Sequence, residues 1–168
     1  MKIGAVGFGN RIAHVYHELS QINKDVELIA YVDPKPIGKH YAEKHNFFPT
    51  KEYSNLNDML SNEKLDLLMI GSPNHLHLEH ITIGLQAGIK IFAEKPIVVD
   101  EKQSFELAKL LGEFGQDQVL VGLVLRYSQH ARSVRDLIDK NVLGSIVSIE
   151  ASEHIMPWHG GFFMRNWR

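Results

Sequence analysis

The sequence predicts an α/β chain organised on a doubly wound parallel sheet with helices on both faces. Three observations carry that expectation. Short apolar runs alternate with amphipathic stretches of helical period through about Val124, the pattern of strand–helix–strand crossovers. The first run, Lys2 to Val6, passes through a glycine turn straight into a helical stretch. Three runs also end abruptly in ligand-type loops: Gly7-Phe8-Gly9-Asn10-Arg11, Gly71-Ser72-Pro73-Asn74 and Glu94-Lys95-Pro96. In open sheets of this class, ligands lie outside the carboxyl ends of the strands, so these loops carry the functional expectation.

Taken in order, Lys2 to Val6 reads as a strand, and Ile12, Val15, Tyr16 and Leu19 then recur at helical spacing. Val26 to Val32 is the second strand. Lys39 to Asn46 reads as a short helix, Phe47 to Thr50 as a brief strand, and Asn55 to Leu60 as a helical turn with Leu56, Met59 and Leu60 apolar. Asp66 to Ile70 is a buried strand, followed by a helix over roughly His75 to Ala87 that Gly88 stops. Ile89 to Ala93 is an apolar strand bounded by Gly88 and Pro96. Ser104 to Phe114 is amphipathic, with Phe105, Leu107, Ala108, Leu110 and Leu111 expected inward and Gly115 at its end. Val119 to Leu125 reads as a strand and Ser133 to Lys140 as a helix stopped near Gly144. Ser145 to Ala151 suits a strand with one solvent face, through Ile146, Val147 and Ile149. From Ser152 to Arg168 the chain holds Trp158, Gly160, Gly161, Phe162, Phe163 and Trp167 without a period.

Composition narrows the function classes. The 168 residues match one ordinary domain, and 44% hydrophobic with 23% charged residues is normal for a globular protein. A net charge of −2 gives no reason to expect nucleic acid or an anionic membrane as partner. No apolar run is long enough to span a bilayer, and Met1-Lys2 leads directly into a strand pattern rather than a secretory leader. The lack of cysteine excludes disulfides and thiolate metal sites and fits a reducing cytoplasm, the expected location.

The glycine turn has a physical reading. Gly7 permits the tight turn, Gly9 lets the backbone approach a pyrophosphate, and the N–H groups opening the helix at Asn10, Arg11 and Ile12 face the anion. The pattern departs from G-x-G-x-x-G because Ile12 fills the third glycine position. Asp33 closes the second strand, at about the distance, ~20 residues on, where an acid bonds the ribose hydroxyls. Asp33-Pro34 also suits a bare turn, and the glycine loop upstream favours the ribose role. Lys35 beside it would welcome a 2′-phosphate, which leaves NADP open next to NAD. Of His75, His77 and His80, positions 77 and 80 share a helix face, but no set of further ligands accompanies them, so no metal site is expected. One of them is expected to turn toward a cofactor.

Gly7-Phe8-Gly9, Asp33, Ser72-Pro73-Asn74-His75-Leu76-His77 and above all Ala93-Glu94-Lys95-Pro96-Ile97 together resemble the glucose–fructose oxidoreductase and inositol dehydrogenase (Gfo/Idh/MocA) family of nicotinamide-dependent oxidoreductases. Arg126, after the next strand, also fits. The resemblance implies a Rossmann domain over residues 1–124, then the start of an open-sheet α/β substrate and oligomerisation domain over 125–168, opening at about Ser145 and stopping short. It implies NAD held by Gly7, Phe8, Gly9, Asn10, Arg11, Ile12, Asp33, Ser72, Pro73, Asn74, His77, Glu94, Lys95, Pro96 and Arg126, a cis Lys95–Pro96 bond, and a homo-oligomer formed through the second domain. The implied substrate is a sugar, cyclitol or related polyol.

Lys95 is the residue the resemblance makes catalytic, taking the hydroxyl proton as hydride leaves carbon; by itself it reads as a solvated lysine before a proline. Glu94 is expected near the nicotinamide ribose. The family's Asp-x-x-x-His segment has no match, since Asp136 has Lys140 four places on, so the chain as written is expected to bind cofactor weakly and turn over little. A cofactor-binding regulatory or sensor protein without turnover is the alternative. Retained Lys95 favours the enzyme, and the missing segment favours binding alone.

Overall fold

A computed structural model describes residues 1–49, 51–154, 156–157 and 161. Six strands, β1 (Lys2–Val6), β2 (Glu27–Val32), β3 (Lys51–Tyr53), β4 (Leu67–Ile70), β5 (Lys90–Ala93) and β6 (Val119–Val121), form one sheet in the order β3-β2-β1-β4-β5-β6. Every pairing is parallel. The chain therefore winds outward in one direction from β1 through β3, then returns to β4 on the other side of β1. This is the doubly wound Rossmann arrangement, and the reversal between β1 and β4 opens the crevice in which such folds take ligands.

The helices α1 (Asn10–Ile22), α2 (Gly38–Lys44), α3 (Leu56–Asn62), α4 (His77–Gln86) and α5 (Glu101–Phe114) cover the two faces. Alternation along the strands separates two cores. Ile3 and Ala5 of β1 and Met69 of β4 pack with Ile12, Ala13 and Tyr16 of α1 and Ala42 of α2. Val6, Leu68, Ile70, Ile91 and Ala93 pack with Leu56 and Met59 of α3, Leu78, Ile81 and Leu85 of α4, and Leu107 of α5. Strands buried on both sides read as continuous apolar runs, which is why β1, β4 and β5 stood out in the sequence.

Several boundaries differ from the sequence reading, each for a local reason. The third strand is Lys51–Tyr53, not Phe47 to Thr50; Thr50 lies outside the described residues. Phe47 instead closes α2: Asn46 adopts a left-handed φ of 55°, the Phe47 N–H donates to Ala42 O at 3.1 Å, and the ring packs 5.1 Å from Tyr16. α5 starts at Glu101 because Asp100 caps it, accepting from the Gln103 N–H at 2.8 Å, while the Gln103 side chain accepts from the Val99 N–H. Phe105 and Ala108, expected inward, are exposed, Phe105 by 69%. The buried stripe is Leu107, Leu110, Leu111 and Phe114, spaced i, i+3, i+4, i+7, and Phe105 lies off it.

β6 stops at Val121 rather than Leu125. Among the described residues its one neighbour is β5, which ends at Ala93, and the last ladder bond runs from the Gly122 N–H to Ala93 O at 2.8 Å.

Contacts divide the chain into two compact units, Met1–Gly122 and Leu123–Arg168. Within the second, a 3-10 turn (Val124–Tyr127) leads to α6 (Gln129–Asp139). α6 begins four residues before the expected Ser133, since Ser128 caps it by accepting from the Ala131 N–H at 3.2 Å. Ser145 to Ala151 forms no strand: among the described residues no chain pairs with it, and Val147 is 94% exposed. Alternation alone cannot make a strand without a neighbour to complete the ladder. Trp158, Gly160, Phe162, Phe163 and Trp167 lie outside the described residues. No helix among the described residues is long and apolar enough to cross a membrane.

Candidate cofactor and active site

Because β1, β4 and β5 are adjacent in the sheet, the loops at their carboxyl ends are adjacent too. Those are the glycine loop, the Ser72-Pro73-Asn74 loop and the Glu94-Lys95-Pro96 loop. Gly7 has φ +79°, and a Cβ there would meet backbone atoms of Gly71 and Ser72 at 2.2–2.5 Å. Gly7 is therefore required by the fold itself, where the β1 turn is pressed against the end of β4. Gly9 differs. Its φ is −84°, open to any residue, and a Cβ would meet nothing within 4 Å among the described residues. The internal packing does not explain this glycine; a ligand lying against the backbone would.

Gly9 is also the N-cap of α1, with no side-chain capping bond and no acid in the first turn. The opening N–H groups of α1, at Asn10, Arg11 and Ile12, thus precede the first intrahelical bond, Ala13 N–H to Gly9 O at 3.1 Å. Phe8 and Ile12 are buried core residues, with Phe8 5.2 Å from the Tyr31 ring, so only their backbones face outward chemistry.

The departure at Ile12 has a structural counterpart. In dinucleotide folds the third glycine allows close helix–strand packing. Here a Cβ on Gly71 would meet the Ile12 side chain at 2.3 Å. The missing space on the helix is supplied by a glycine on the facing strand end. Gly38 is a second residue that sequence reasoning passed over: its N–H donates to Phe8 O at 3.0 Å, and a Cβ would meet Phe8 O and Gly9 O at 2.7 and 2.8 Å. It lets α2 start directly against the glycine loop. The signal was a glycine at the start of a helix, where α2 had been expected to open one residue later.

Asp33 is buried at the end of β2, and its Oδ1 accepts the Lys35 N–H at 2.8 Å. The turn role is thus real, and it engages one carboxylate oxygen. Ser72 is buried, and its hydroxyl contacts His80 Nδ1 at 2.9 Å. Pro73 and Asn74 open a 3-10 turn (Asn74–Leu76) that runs into α4. His77 is 1% exposed; Nδ1 lies 2.8 Å from Pro96 O and Nε2 2.8 Å from Ser72 O. Its ring links two loops, and burial pushes the nearby His80 imidazole below the usual histidine range.

Glu94 is a buried acid at the end of β5. Among the described residues its Oε1 is buried without a hydrogen-bond partner, and Arg11 Nε stands 3.6 Å away, beyond hydrogen-bond reach. Burial pushes the Glu94 carboxyl above the usual carboxylate range, against the opposing pull of Arg11, the Lys95 backbone N–H, the Lys95 charge and His77. Burial wins because Arg11 is half exposed, and water screens its charge. Arg11, in the first turn of α1, reaches across β4 to the end of β5. Gly122 gives Glu94 its room, since a Cβ there would meet Oε1 at 3.0 Å. Lys95 and Pro96 are exposed, and the bond between them is cis. Arg126 belongs to the 3-10 turn of the second unit.

The profile of the Gfo/Idh/MocA oxidoreductase family, with its NAD-binding Rossmann fold, matches residues 1–123. The chain belongs to this family. An inositol 2-dehydrogenase/D-chiro-inositol 3-dehydrogenase of Lactiplantibacillus plantarum is 24% identical over 143 residues, 85% of this chain and 41% of that protein. A dTDP-3,4-didehydro-2,6-dideoxy-alpha-D-glucose 3-reductase of Actinomadura kijaniata is 33% identical over 119 residues, 71% of this chain and 35% of that protein. Among solved structures, scyllo-inositol dehydrogenase from Lactobacillus casei with bound NAD(H) and scyllo-inositol superimposes with a TM-score of 0.73 at 25% identity, over 87% of this chain and 43% of that one. The chain thus spans less than half the length of these relatives.

Proposed function

We propose that this chain binds NAD(H) across the β1/β4 crevice and serves a dehydrogenase acting on a hydroxyl or carbonyl of a cyclitol, sugar or related polyol. The observation that carries the reading is Gly9, a glycine with ordinary φ and empty space around it, set at the uncapped start of α1. Backbone N–H groups at a helix start with no side chain in the way suit a pyrophosphate. Asp33 at the end of β2 would receive the adenosine ribose, and its negative charge would disfavour a 2′-phosphate, so NAD is preferred over NADP. The buried oxygen of Glu94 supplies an acceptor for a hydroxyl of the nicotinamide ribose. Ser72, Pro73 and Asn74 offer a backbone edge between them.

When bound, the nicotinamide supplies a two-electron hydride acceptor. Lys95 is the base in this reading. Its amine takes the hydroxyl proton while the C–H electron pair leaves as hydride, so an alcohol becomes a carbonyl and the proton stays on nitrogen. In reverse the ammonium returns the proton to the carbonyl oxygen. Arg126 is assigned to the cofactor on family likeness, and a homo-oligomer through residues 125–168 is proposed on the same ground.

NADH titration by fluorescence tests the binding half, with Gly9→Ala as control. A panel of inositols, sugars and their keto forms, read at 340 nm, tests the chemistry. Whatever turnover the chain shows should be abolished by Lys95→Met while NADH binding, even if weakened, persists. Turnover that survives Lys95→Met would remove the assigned base.

A further inference from the structure

His77 has a feature that its place in the motif does not explain. Both ring nitrogens stand 2.8 Å from backbone carbonyl oxygens, Nδ1 from Pro96 O and Nε2 from Ser72 O. Carbonyl oxygens only accept. A neutral imidazole carries one N–H, so one of its two contacts would set a nitrogen lone pair against an oxygen lone pair. Only a ring with a proton on each nitrogen makes both contacts favourable. The ring is 1% exposed, so water cannot stand in for either partner.

We propose that His77 is a positioning residue held as a buried imidazolium, whose two N–H groups donate to Ser72 O and Pro96 O and so fix the β4 loop against the Glu94-Lys95-Pro96 turn. The proposal deepens the functional reading above, because it matters for catalysis only if those two loops hold cofactor and carry the base. The charged and titratable groups around it are Glu94 at the end of β5, Lys95 in the same turn, His80 and Glu79 on its own helix, and Arg11 beyond Glu94. Glu94 is the acid among them, and a charge on His77 would pull its carboxyl downward, against burial. The positive end of α4 and the Lys95 charge oppose a cation here. Two charge-assisted hydrogen bonds and the Glu94 carboxylate act against that opposition. Arg11, Glu94 and His77 thereby form an alternating series, plus–minus–plus, running from the glycine loop through the β5 turn to the start of α4.

The test has two arms. In the first, needing no cofactor, histidine-15N protein is examined by long-range 1H–15N correlation at pH 7, with His77 assigned by its disappearance in His77→Gln. The expected pattern has both ring nitrogens protonated. A neutral-tautomer pattern overturns the proposal outright. In the second arm, NADH affinity is measured from pH 6 to 9 for the native protein and His77→Gln. The variant keeps a donor for one carbonyl and is expected to bind about tenfold more weakly, a loss of about 1.4 kcal/mol. Equal affinities at pH 7 would overturn the positioning role. A native protein that binds no NADH at any pH would instead overturn the functional reading and the positioning role with it, while the NMR result would still decide the charge on the ring.

Discussion

Replacing Gly9 by alanine separates a glycine kept for a ligand from one kept for the fold. At Gly9 the backbone is already in a conformation any residue adopts, and the new methyl group meets nothing within 4 Å. Alanine is a poorer N-cap than glycine by about 0.5–1 kcal/mol. Stiffening the unfolded chain offsets this by about 0.4–1 kcal/mol. The two nearly cancel, so Gly9→Ala should move stability by no more than about 0.5 kcal/mol. Gly7→Ala is the reference. There φ is +79° and the methyl group lands 2.2–2.5 Å from backbone atoms of Gly71 and Ser72. The left-handed backbone costs about 1–2 kcal/mol and the overlap about 1–3 kcal/mol more, giving about 2–5 kcal/mol in all. Urea unfolding reads the stability, and NADH fluorescence reads the site. Gly9→Ala should match the native urea midpoint yet bind NADH at least about tenfold more weakly, a loss of about 1.4 kcal/mol. If Gly9→Ala unfolds as early as Gly7→Ala, the empty space is not real. If it binds NADH as the native chain does, the pyrophosphate lies elsewhere.

Three further outcomes follow from individual residues. Asp33→Asn keeps the acceptor for the Lys35 N–H but removes the charge, so NADPH affinity should rise relative to NADH by about tenfold; native NADPH binding equal to or tighter than NADH would refute the Asp33 assignment and point to Lys35. Glu94→Gln should raise stability at pH 8 relative to pH 4: the folded carboxyl holds its proton above the ordinary 4.5, so native stability is greatest below that value and declines as pH rises through the raised folded one, a loss the amide cannot suffer. Urea midpoints at the two pH values check this, and a variant that gains nothing at pH 8 would contradict it. Gly71→Ala should destabilise by about 1–3 kcal/mol through its contact with Ile12, and Ile12→Ala in the same chain should recover part of that, because the residual contact with Gly7 O at 2.9 Å remains; strictly additive losses in thermal unfolding would show the two side-chain spaces are not shared.

How much of this was legible in the sequence depends on whether the deciding interaction is local. The strands β1, β4 and β5 are buried on both faces, so their apolar runs announced them, and Gly88 and Gly115 marked helix ends where φ is indeed positive. Caps made by side chains three residues apart, at Asp100 and Ser128, were equally local but were missed because the apolar period begins later than the cap. Phe47 was misread for a different reason. Its aromatic, strand-like character is used to close α2, and only the left-handed Asn46 before it distinguishes the two uses. Ser145 to Ala151 shows the limit of period: alternation describes a face, and a strand also needs a partner.

The candidate site divides along the same line. Residue types at strand ends could be read, and the structure brings the loops after β1, β4 and β5 together as their neighbouring places in the sheet require. What the sequence could not carry is which side chains act outward and which act on one another. Phe8 and Ile12 sit in the glycine motif, yet both are core. His77 sits in the Ser-Pro-Asn segment, yet its ring is spent between two carbonyls. The third glycine seemed lost at Ile12, yet the same space is provided by Gly71, some sixty positions along the chain and across a helix–strand contact. Each of these turns on a distance between residues far apart in sequence. The motif specifies the space a dinucleotide needs, and a long-range contact decides which residue leaves it empty. A chain can therefore break the glycine pattern at one position while keeping its physical content at another.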